Sequence, residues 1–420
     1  MGDQTIEVIL TTSQQQYAVP STPLSISSTV GPVELNALVN ALLEESQPDW
    51  KKIDFDFLVS NEFIRGPLKN LLGPAGGETK VVIEYLESRP APEPEDCLLH
   101  DDWVSAVQVS DKWILTGCYD NSLHIWTKKG AHKLSISAHD GPVKGVAWIE
   151  NDGSSATFVS ASCDQTAKVW KWSVGSDTAK CMFVCRGHER SLTSVSVNPT
   201  HKLMATGSWD ALLKIWSAGL EDASPVILEE TPAKKMKHEK SPVRTPILTL
   251  KGHQGVISST VWTEVDELCT ASWDHTLRLW DAELGGVKLD ITFNKAFQCI
   301  DWSPLNKTLL SSSADRHVRL HDLRSAEYSQ VQTTFTNHTK LVTSVHWSRG
   351  DENLFISGGH DNEVKLWDRR SFRTPLYNLG GHEDQVLCCN WSEPQLIVSG
   401  GADKTVHIFK TKHAKQYMLT

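Results

Sequence analysis

Apolar and polar residues alternate in short runs along most of the chain after residue 97, which is the pattern of half-buried β-strands. Residues typical of tight turns separate these runs, so that about four strands form one antiparallel unit. The unit repeats, and its best-defined part occurs at 116–126, 160–170, 206–216, 270–280, 311–321, 357–367 and 399–409. The pattern therefore predicts a tandem array of small antiparallel sheets.

Two spacings define the unit. A Ser or Thr lies four residues before an Asp, and an aromatic residue or His lies six residues after it; the seven Asp residues are Asp120, Asp164, Asp210, Asp274, Asp315, Asp361 and Asp403. Upstream, a His lies nine residues before the last large apolar residue of the first strand; these are His100, His139, His188, His253, His338 and His382. In the fifth unit Phe293 takes the place of this His.

With seven units in one register, residues 97–412 resemble the WD-repeat family. The resemblance implies an all-β fold, the seven-bladed β-propeller. Little strand-like sequence follows Phe409, so we expect residues 94–100 to supply the outer strand of the last blade and to leave no open sheet edge there.

Ser or Thr, His and Asp are also the residue types of a hydrolase triad. A catalytic set occurs once, whereas this one recurs in every unit together with a Trp, so we interpret it as a structural tetrad that fixes the blade. Three of these sets are His139, Asp164, Ser160 and Trp170; His188, Asp210, Thr206 and Trp216; and His253, Asp274, Thr270 and Trp280. Phe293 and His321 in the fifth unit and Phe409 in the seventh predict weakened tetrads there. We predict no catalytic residue and no cofactor of the chain's own.

The residue before each tetrad Asp lies at a turn tip, where the tetrad does not require a large side chain. Tyr119, Trp209, Trp273 and His360 occupy this position in four units and are our candidates for a partner-binding face. The alternative is that they pack against neighbouring turns.

One repeat interval, of 64 residues between Asp210 and Asp274, exceeds the others, and we expect its extra residues, 219–245, to be a disordered insertion. The basic run 234–237 is a candidate nuclear localisation signal. Thr231, Ser241 and Thr245 each precede a Pro and are candidate sites for proline-directed phosphorylation.

Residues 1–88 lack the repeat and predict a small α+β domain. Strands at 6–10, at 17–19 with 24–26, at 55–59, 63–65 and 80–87, and a helix at 33–43 give the order of a ubiquitin-like fold. We expect a linker at 89–96 and a C-terminal tail at 413–420.

Composition agrees with an intracellular repeat protein. Trp is unusually frequent, with 16 residues against 6 Tyr and 11 Phe, as a repeated Trp position would produce. Nine Cys residues without a C-x-x-C motif predict reduced thiols. The net charge of −10 argues against coating of a nucleic acid by bulk charge, and no signal peptide or membrane segment is expected.

Both domains together resemble a narrower family. FDFL (55–58), APEPEDC (91–97), HDDWV (100–104), ASWDHT (271–276) and SGGAD (399–403) are similar to the ribosome-biogenesis WD-repeat proteins that join pescadillo and the block-of-proliferation protein in the PeBoW complex. Notchless shares the N-terminal domain but has eight blades. The resemblance implies a non-catalytic factor for pre-60S particles, needed for pre-rRNA processing, in the nucleolus and nucleoplasm and away from membranes.

The same resemblance implies that the N-terminal domain docks on midasin, an AAA ATPase. Glu78, in the loop before the last strand, would then bind in trans a Mg²⁺ ion held by midasin. A hard cation with one open site favours a carboxylate ligand. Glu84 is the weaker candidate for this ligand. The non-functional alternative is that Glu78 is an ordinary solvated residue of the loop.

Two other classes stay open. Trp367-Asp368-Arg369-Arg370 has the W-D-x-R pattern by which some WD receptors bind the adaptor of a cullin-type ubiquitin ligase. A hydrolase in the propeller channel is the other. Direct RNA contact is an alternative role for the basic residues Arg316, His317, Arg319, Lys404, Lys410, Lys412 and Lys415, but solvated charges on the rim explain them better.

Overall fold

A computed structural model of the chain describes residues 5–47, 49–71, 80–220, 241–324 and 331–411. They form two compact units: the first comprises the residues up to Ala91 together with Trp367–Leu376, and the second comprises the others. Among these residues, no helix has both the length and the apolar character needed to cross a membrane.

The first unit is a five-stranded sheet with one helix, which confirms the predicted α+β class. Its elements are β1 (Thr5–Thr11), β2 (Leu24–Ser27), α1 (Pro32–Ser46), β3 (Phe55–Val59), β4 (Glu62–Phe63) and β5 (Val81–Glu87), with 3-10 turns at Gln15–Tyr17 and Leu68–Asn70. The strand order is β2-β1-β5-β3-β4, and β1 and β5 run parallel. Leu35, Val39 and Leu43 form the buried stripe of α1.

The expected strand at residues 17–19 is wrong, because a 3-10 turn ends at Tyr17. The Tyr17 ring is buried, and its hydroxyl donates to Glu87 at 2.8 Å. Tyr85 fixes the following backbone, since its hydroxyl donates to the Tyr17 carbonyl at 2.6 Å and accepts the Val19 N–H at 3.1 Å. These long-range contacts determine the local conformation more strongly than the alternating sequence does.

The second unit contains seven antiparallel blades in the described ranges, as predicted for a β-propeller. Blade 1 has β7 (Val104–Val109), β8 (Trp113–Cys118), β9 (Ser122–Thr127) and β10 (His132–Ser137). Blade 2 has β11 (Val143–Asn151), β12 (Ser155–Ser162), β13 (Ala167–Ser173) and β14 (Thr178–Cys185). Blade 3 has β15 (Leu192–Val197), β16 (Leu203–Ser208), β17 (Leu212–Ser217) and β19 (Leu248–Lys251).

The remaining blades follow the same order. Blade 4 has β20 (Ile257–Trp262), β21 (Glu267–Ser272), β22 (Thr276–Asp281) and β23 (Val287–Thr292). Blade 5 has β24 (Phe297–Ser303), β25 (Thr308–Ser313), β26 (Val318–His321) and β27 (Val331–Phe335). Blade 6 has β28 (Val342–Trp347), β29 (Leu354–Gly359), β30 (Val364–Asp368) and β31 (Tyr377–Leu379).

Blade 7 closes the ring with a strand from the N-terminal side of the propeller. It has β32 (Val386–Glu393), β33 (Leu396–Gly401) and β34 (Thr405–Lys410), and β6 (Glu93–Leu99) pairs with β34 from Thr405–Leu99 to Lys410–Glu93. The first strands of successive blades are in contact around the ring, including β32 with β7. The closure by residues 94–100 is confirmed, but the linker predicted at 89–96 is too long because β6 begins at Glu93.

The long insertion is not disordered throughout. Residues 221–240, which include the candidate localisation signal and Thr231, lie outside the described residues. After them, β18 (Val243–Arg244) pairs in parallel with β14 of blade 2 and forms a fifth strand on that blade. The expectation of disorder at 219–245 is therefore wrong at 243–244, because these residues pair with a strand of the preceding blade.

All nine Cys residues are free thiols, in agreement with the prediction from their spacing. Cys97 is exposed, whereas Cys118, Cys185 and Cys269 are buried. Burial raises the pKa of the Cys185 thiol to about 12, so this side chain behaves as a small neutral core residue.

Candidate functional site

The tetrad residues of blades 2, 3 and 4 form one continuous hydrogen-bonded chain in each blade. In blade 4, Nδ1 of His253 lies 2.8 Å from an Asp274 carboxylate oxygen and Nε2 lies 2.7 Å from the Thr270 hydroxyl. The Trp280 indole N–H donates to the same hydroxyl at 2.8 Å. The equivalent His–Asp distances are 2.8 Å for His139–Asp164 in blade 2 and for His188–Asp210 in blade 3.

The hydroxyls in these two blades also bridge the His to the Trp. Ser160 lies 2.7 Å from His139 Nε2 and accepts the Trp170 indole N–H at 2.9 Å. Thr206 does the same for His188 and Trp216, at 2.8 Å to each. Because each polar atom has a partner inside the blade, the arrangement stabilises the fold and leaves no free nucleophile in these three sets.

The carboxylates of these tetrads are held in the charged form. Burial acts to raise the pKa of Asp274, but the hydrogen bonds from His253, Thr276 and the Gln254 N–H outweigh it and keep this pKa below its usual range. Burial lowers the pKa of His139 in blade 2. A neutral His that donates to an anionic Asp is the state that this geometry favours.

Blade 1 departs from this arrangement, which the sequence pattern did not indicate. His100 Nε2 reaches the Thr116 hydroxyl at 2.9 Å, but its Nδ1 is buried and has no hydrogen-bond partner among the described residues. Asp120 is exposed and accepts the Ser122 N–H at 2.9 Å, as Asp164 and Asp210 do from the equivalent residues, but it makes no hydrogen bond to His100. Burial lowers the pKa of His100 to about 4. The sequence spacing does not reveal this missing His–Asp contact, because His100 and Asp120 both occupy their regular positions in the repeat.

Blades 5 and 7, which the sequence predicts to be weaker, keep their sheets by different contacts. In blade 5 the Asp315 carboxylate pairs with Arg319, and His321 Nε2 lies 2.7 Å from the Ser311 hydroxyl. In blade 7, His382 keeps its Asp403 and Ser399 partners at 2.8 Å each, and Phe409 replaces the Trp.

The turn tips that carry the candidate face share one backbone geometry in all seven blades. The residue before each tetrad Asp donates its N–H, at 2.8 to 3.0 Å, to the carbonyl three residues after the His position. The residue after each Asp has a left-handed φ between 63 and 72°. The acceptor carbonyls are those of Trp103, Pro142, Ser191, Val256, Ala296, Leu341 and Gln385. The turns therefore present equivalent positions whose side chains vary freely.

Trp209 and Trp273 meet on adjacent blades. Their rings lie 5.2 Å apart in an edge-to-face arrangement, and the two residues are 44 and 40 % exposed. They pack against each other, as expected from the alternative that these residues contact neighbouring turns. Both side chains nevertheless keep substantial contact with solvent. We call these two residues the tryptophan pair. Large aromatic side chains exposed together are typical of protein-binding surfaces.

A second aromatic cluster includes a residue that sequence analysis missed. Tyr119 packs edge-to-face on Trp103 at 5.3 Å, and its hydroxyl accepts the Lys144 ammonium at 2.6 Å. Trp103 is 43 % exposed. Trp103 occupies neither of the two positions at which the repeat carries a Trp. This difference could have identified it from the sequence. Tyr119, Lys144 and Trp273 line the same cavity of about 380 Å³, so both clusters border the central channel of the propeller.

His360 occupies the equivalent turn of blade 6 and is half-buried. Burial, with the nearby positive charge of Lys340 as a second cause, lowers its pKa. It therefore lies on the same set of turns but, among the described residues, makes no ring contact with either aromatic cluster.

Two sets of side chains have a composition that suits a metal ion: Cys118, Asp120 and His124, and His382, Asp403 and His407. In the first set the Ser122 hydroxyl already bonds to both Asp120 and His124. In the second, His382 and Asp403 are bonded to each other in the tetrad. Hydrogen bonding within the blades explains both groups.

The remaining candidates are placed as follows. Glu78 lies outside the described residues, and its alternative Glu84 is half-buried in β5. Trp367 of the W-D-x-R sequence is fully buried, and Asp368 is buried and accepts Arg370 Nε at 2.9 Å. Asp368 and Arg370 of that sequence are therefore hydrogen-bonded to each other.

Comparison with known proteins gives matches over both units. Residues 6–72 match the NLE (NUC135) domain, and the WD domain, G-beta repeat, matches at 96–127, 130–171, 179–217, 244–281, 291–322, 329–368 and 373–410. The ribosome biogenesis protein WDR12 homolog of Drosophila pseudoobscura pseudoobscura is 50 % identical over 415 residues, which cover 98 % of this chain and 97 % of that protein. The homologs of Drosophila mojavensis and Drosophila virilis are 49 and 48 % identical with the same coverage. The chain therefore belongs to the family of ribosome biogenesis protein WDR12 homologs, with an NLE domain followed by seven WD repeats.

Proposed function

We propose that this chain is a non-catalytic assembly factor for the large ribosomal subunit. A part in ribosome biogenesis comes with its family, and the observation that carries the proposal is the 50 % identity that extends through both the NLE domain and the propeller. The chain would act in pre-rRNA processing and particle maturation, in the nucleolus and nucleoplasm.

The propeller is the scaffold in this proposal. Pescadillo and the block-of-proliferation protein are the proposed partners, in a PeBoW-type complex on pre-60S particles. The tryptophan pair supports a partner-binding role, because it offers two large rings whose burial by a partner removes apolar surface from water. The tetrads support a scaffold rather than an enzyme, because their hydroxyl, imidazole and carboxylate groups are used within the blades.

The NLE domain is the proposed handle for midasin. Glu78 would supply a carboxylate to a Mg²⁺ ion held by that ATPase, and ATP-driven pulling would then release the chain and its complex from the particle. A carboxylate bound to a metal ion suits a handle, because the contact is strong and directional. A single side-chain change therefore tests it.

The test of the scaffold role is quantitative affinity purification of the full-length chain from growing cells. We expect pescadillo, the block-of-proliferation protein and large-subunit precursor RNA to co-purify. The double change Trp209→Ala with Trp273→Ala should reduce recovery of the block-of-proliferation protein by roughly tenfold or more. Leu284→Ala, at an 87 % exposed residue of blade 4, is the matched control and should leave recovery unchanged.

Recovery of a cullin-ligase adaptor in place of precursor particles would overturn the assembly role and favour a ligase receptor. Normal recovery of all partners by the double variant would instead remove only the tryptophan pair from the proposal.

The test of the handle compares three Glu variants in the same purification. Glu78→Ala should abolish midasin binding, keep the propeller partners and leave the chain trapped on precursor particles. Glu78→Asp keeps a carboxylate and should retain part of the binding, whereas Glu84→Ala should behave like the wild type. Undiminished midasin binding by Glu78→Ala would rule out this residue as the ligand.

A further inference from the structure

The short strand β18 joins two neighbouring blades at their outer edge. It pairs with β14 of blade 2, and its backbone hydrogen bonds to that blade include Val184 N–H to the Pro242 carbonyl at 2.9 Å and Arg186 N–H to the Arg244 carbonyl at 3.1 Å. Chain continuity ties it to blade 3, because it precedes β19 of that blade. Among the described blades, only blade 2 carries such a fifth strand. The edge of β14 would otherwise be open for pairing.

Side chains at both ends of β18 add to this attachment. The Ser241 hydroxyl donates to the Cys181 carbonyl at 3.1 Å. The Arg244 guanidinium lies 3.9 Å from the centre of the Phe183 ring and donates to the Gly219 carbonyl at 2.8 Å and to that of Ser217. Because β18 has only two residues, its attachment to blade 2 is short, and small energetic changes can open it.

The sequence of this contact is also a kinase recognition sequence. Ser241 is followed by Pro242, and Arg244 stands three residues after Ser241. Proline-directed protein kinases select a Ser or Thr before Pro, and many of them prefer a basic residue at the third position after it. Thr245 is likewise followed by Pro246, but its third following residue is the apolar Leu248. The recognition sequence and the structural attachment therefore share the same two side chains.

We propose that Ser241 is a phosphorylation site and that its modification keeps β18 detached from blade 2. A proline-directed kinase would transfer the γ-phosphoryl group of ATP to the Ser241 Oγ. The bond between the γ-phosphorus and the bridging oxygen breaks, the Oγ–P bond forms, ADP leaves and the hydroxyl proton is released to solvent. A kinase binds its substrate as an extended free segment, so β18 must leave β14 before the transfer.

Reattachment is unfavourable after the transfer for two reasons. The modified Ser241 has lost the hydrogen that it donates to the Cys181 carbonyl. The phosphate also brings a charge of about −1.5 to −2 towards a carbonyl oxygen at a half-buried position. Detachment exposes the N–H groups of Val184 and Arg186 and the face of Phe183 that Arg244 covers. The outer edge of blade 2 then becomes available for strand addition by an extended peptide.

The experiment uses the full-length chain, MgATP and a purified proline-directed kinase that selects a basic residue at the third position. Phosphate incorporation at each residue is measured by mass spectrometry, and amide hydrogen exchange is measured before and after. We expect Ser241 to be modified and exchange at Val184 and Arg186 to accelerate by about tenfold or more. Exchange at Cys185, whose register partner is Ala167 on β13, should stay unchanged.

Arg244→Lys separates recognition from attachment. Lys keeps the basic residue that the kinase reads but cannot reproduce the planar contact with Phe183 and two carbonyls, so β18 should detach more often. We expect this variant to be modified at Ser241 about tenfold faster than the wild type. Ser241→Ala is the control, and it should take up no phosphate at this position.

Two results would overturn the proposal. If a free peptide spanning 238–250 is modified but the folded chain and its Arg244→Lys variant are not, Ser241 is not a site in the protein. If Ser241 is modified to completion while exchange at Val184 and Arg186 stays at the wild-type rate, the phosphate does not detach β18. Neither result bears on the proposed assembly role.

Discussion

Blades 4 and 5 reach the same four-stranded sheet with different polar groups, and the difference separates what the repeat requires from what it tolerates. In blade 4 the hydrogen-bonded chain from the Asp274 carboxylate through His253 and Thr270 to Trp280 satisfies each member. In blade 5 the Asp315 carboxylate is neutralised by Arg319, a buried cation that lies 4.1 Å from the centre of the Phe293 ring. The turn Asp needs a donor, and a His is only one way to supply it.

The two blades differ in which group loses its hydrogen-bond partner when the turn Asp is removed. Loss of a carboxylate in blade 4 leaves a neutral imidazole N–H without an acceptor. The same loss in blade 5 leaves a buried positive charge, since Arg319 is only 5 % exposed. A buried charge without its partner is the more costly of the two.

The largest predicted effect follows from this contrast. Asp315→Ala should lower the free energy of unfolding by about 3–5 kcal/mol, whereas Asp274→Ala should lower it by about 2–3 kcal/mol. Denaturant unfolding monitored by Trp fluorescence compares the two. Equal losses would mean that Arg319 finds other partners when Asp315 is gone.

The second prediction concerns acid. Burial, reinforced by the positive charge of Arg319, lowers the pKa of His321 from its usual 6.5 to about 3. The unfolded chain therefore takes up a proton at this residue as the pH falls below 6.5, whereas the folded chain does so only near pH 3. Stability is lost through this window, by up to about 1.4 kcal/mol per pH unit.

His321→Phe, which introduces the residue type that blade 7 has at this position, should make the stability of the propeller less dependent on pH between 6.5 and 4. The slope of unfolding free energy against pH is the relevant measurement, because the change also affects stability at neutral pH. An unchanged slope would show that the buried imidazole of His321 does not control acid sensitivity.

A smaller difference is expected from the bridging hydroxyls. Thr270→Val removes the partner of both His253 and Trp280 and should cost about 2–3 kcal/mol. Ser311→Ala in blade 5 removes the partner of His321 alone and should cost about 1–2 kcal/mol. Thermal unfolding midpoints give the order, and a larger loss for Ser311→Ala would contradict the two networks described for these blades.

The smallest predicted effect lies in the turns, where the two blades are alike. His275 and Arg316 follow the turn Asp with φ of 72 and 71°. His275→Gly and Arg316→Gly should each raise stability by about 0.5–1 kcal/mol, because Gly adopts this left-handed conformation without a steric cost. Gln165→Gly, at φ 71° in blade 2, extends the comparison. A loss of stability in all three would mean that the side chains make contacts that outweigh the backbone strain.

Much of the fold is predictable from sequence because each blade repeats the same local spacings. The positions of all seven turn Asp residues and the closing strand β6 follow from these spacings. Features that depend on the conformation of one side chain, or on a partner distant in sequence, cannot be predicted from these spacings. Asp120 keeps its place in the pattern but makes no hydrogen bond to His100, and β18 pairs with β14 across the insertion.

Prediction from sequence is limited in the same way for the candidate partner-binding face. Trp209 and Trp273 stand out in sequence because the repeat does not require them, but their mutual contact depends on two blades being neighbours. Trp103 could have been identified by the same reasoning, since it lies outside both repeated Trp positions. Its contact with Tyr119 depends on the fold of the turn before β7.

The repeated residues build the blades, and we propose that the variable residues at the turn tips bind the partner. The most direct test is a binding titration of the purified block-of-proliferation protein against the wild type, Trp273→Ala and the double variant Trp209→Ala with Trp273→Ala, with unfolding measured on the same samples. We expect binding to weaken stepwise, by about tenfold or more for the double variant, while the unfolding midpoint stays close to that of the wild type. Wild-type affinity in the double variant would contradict it.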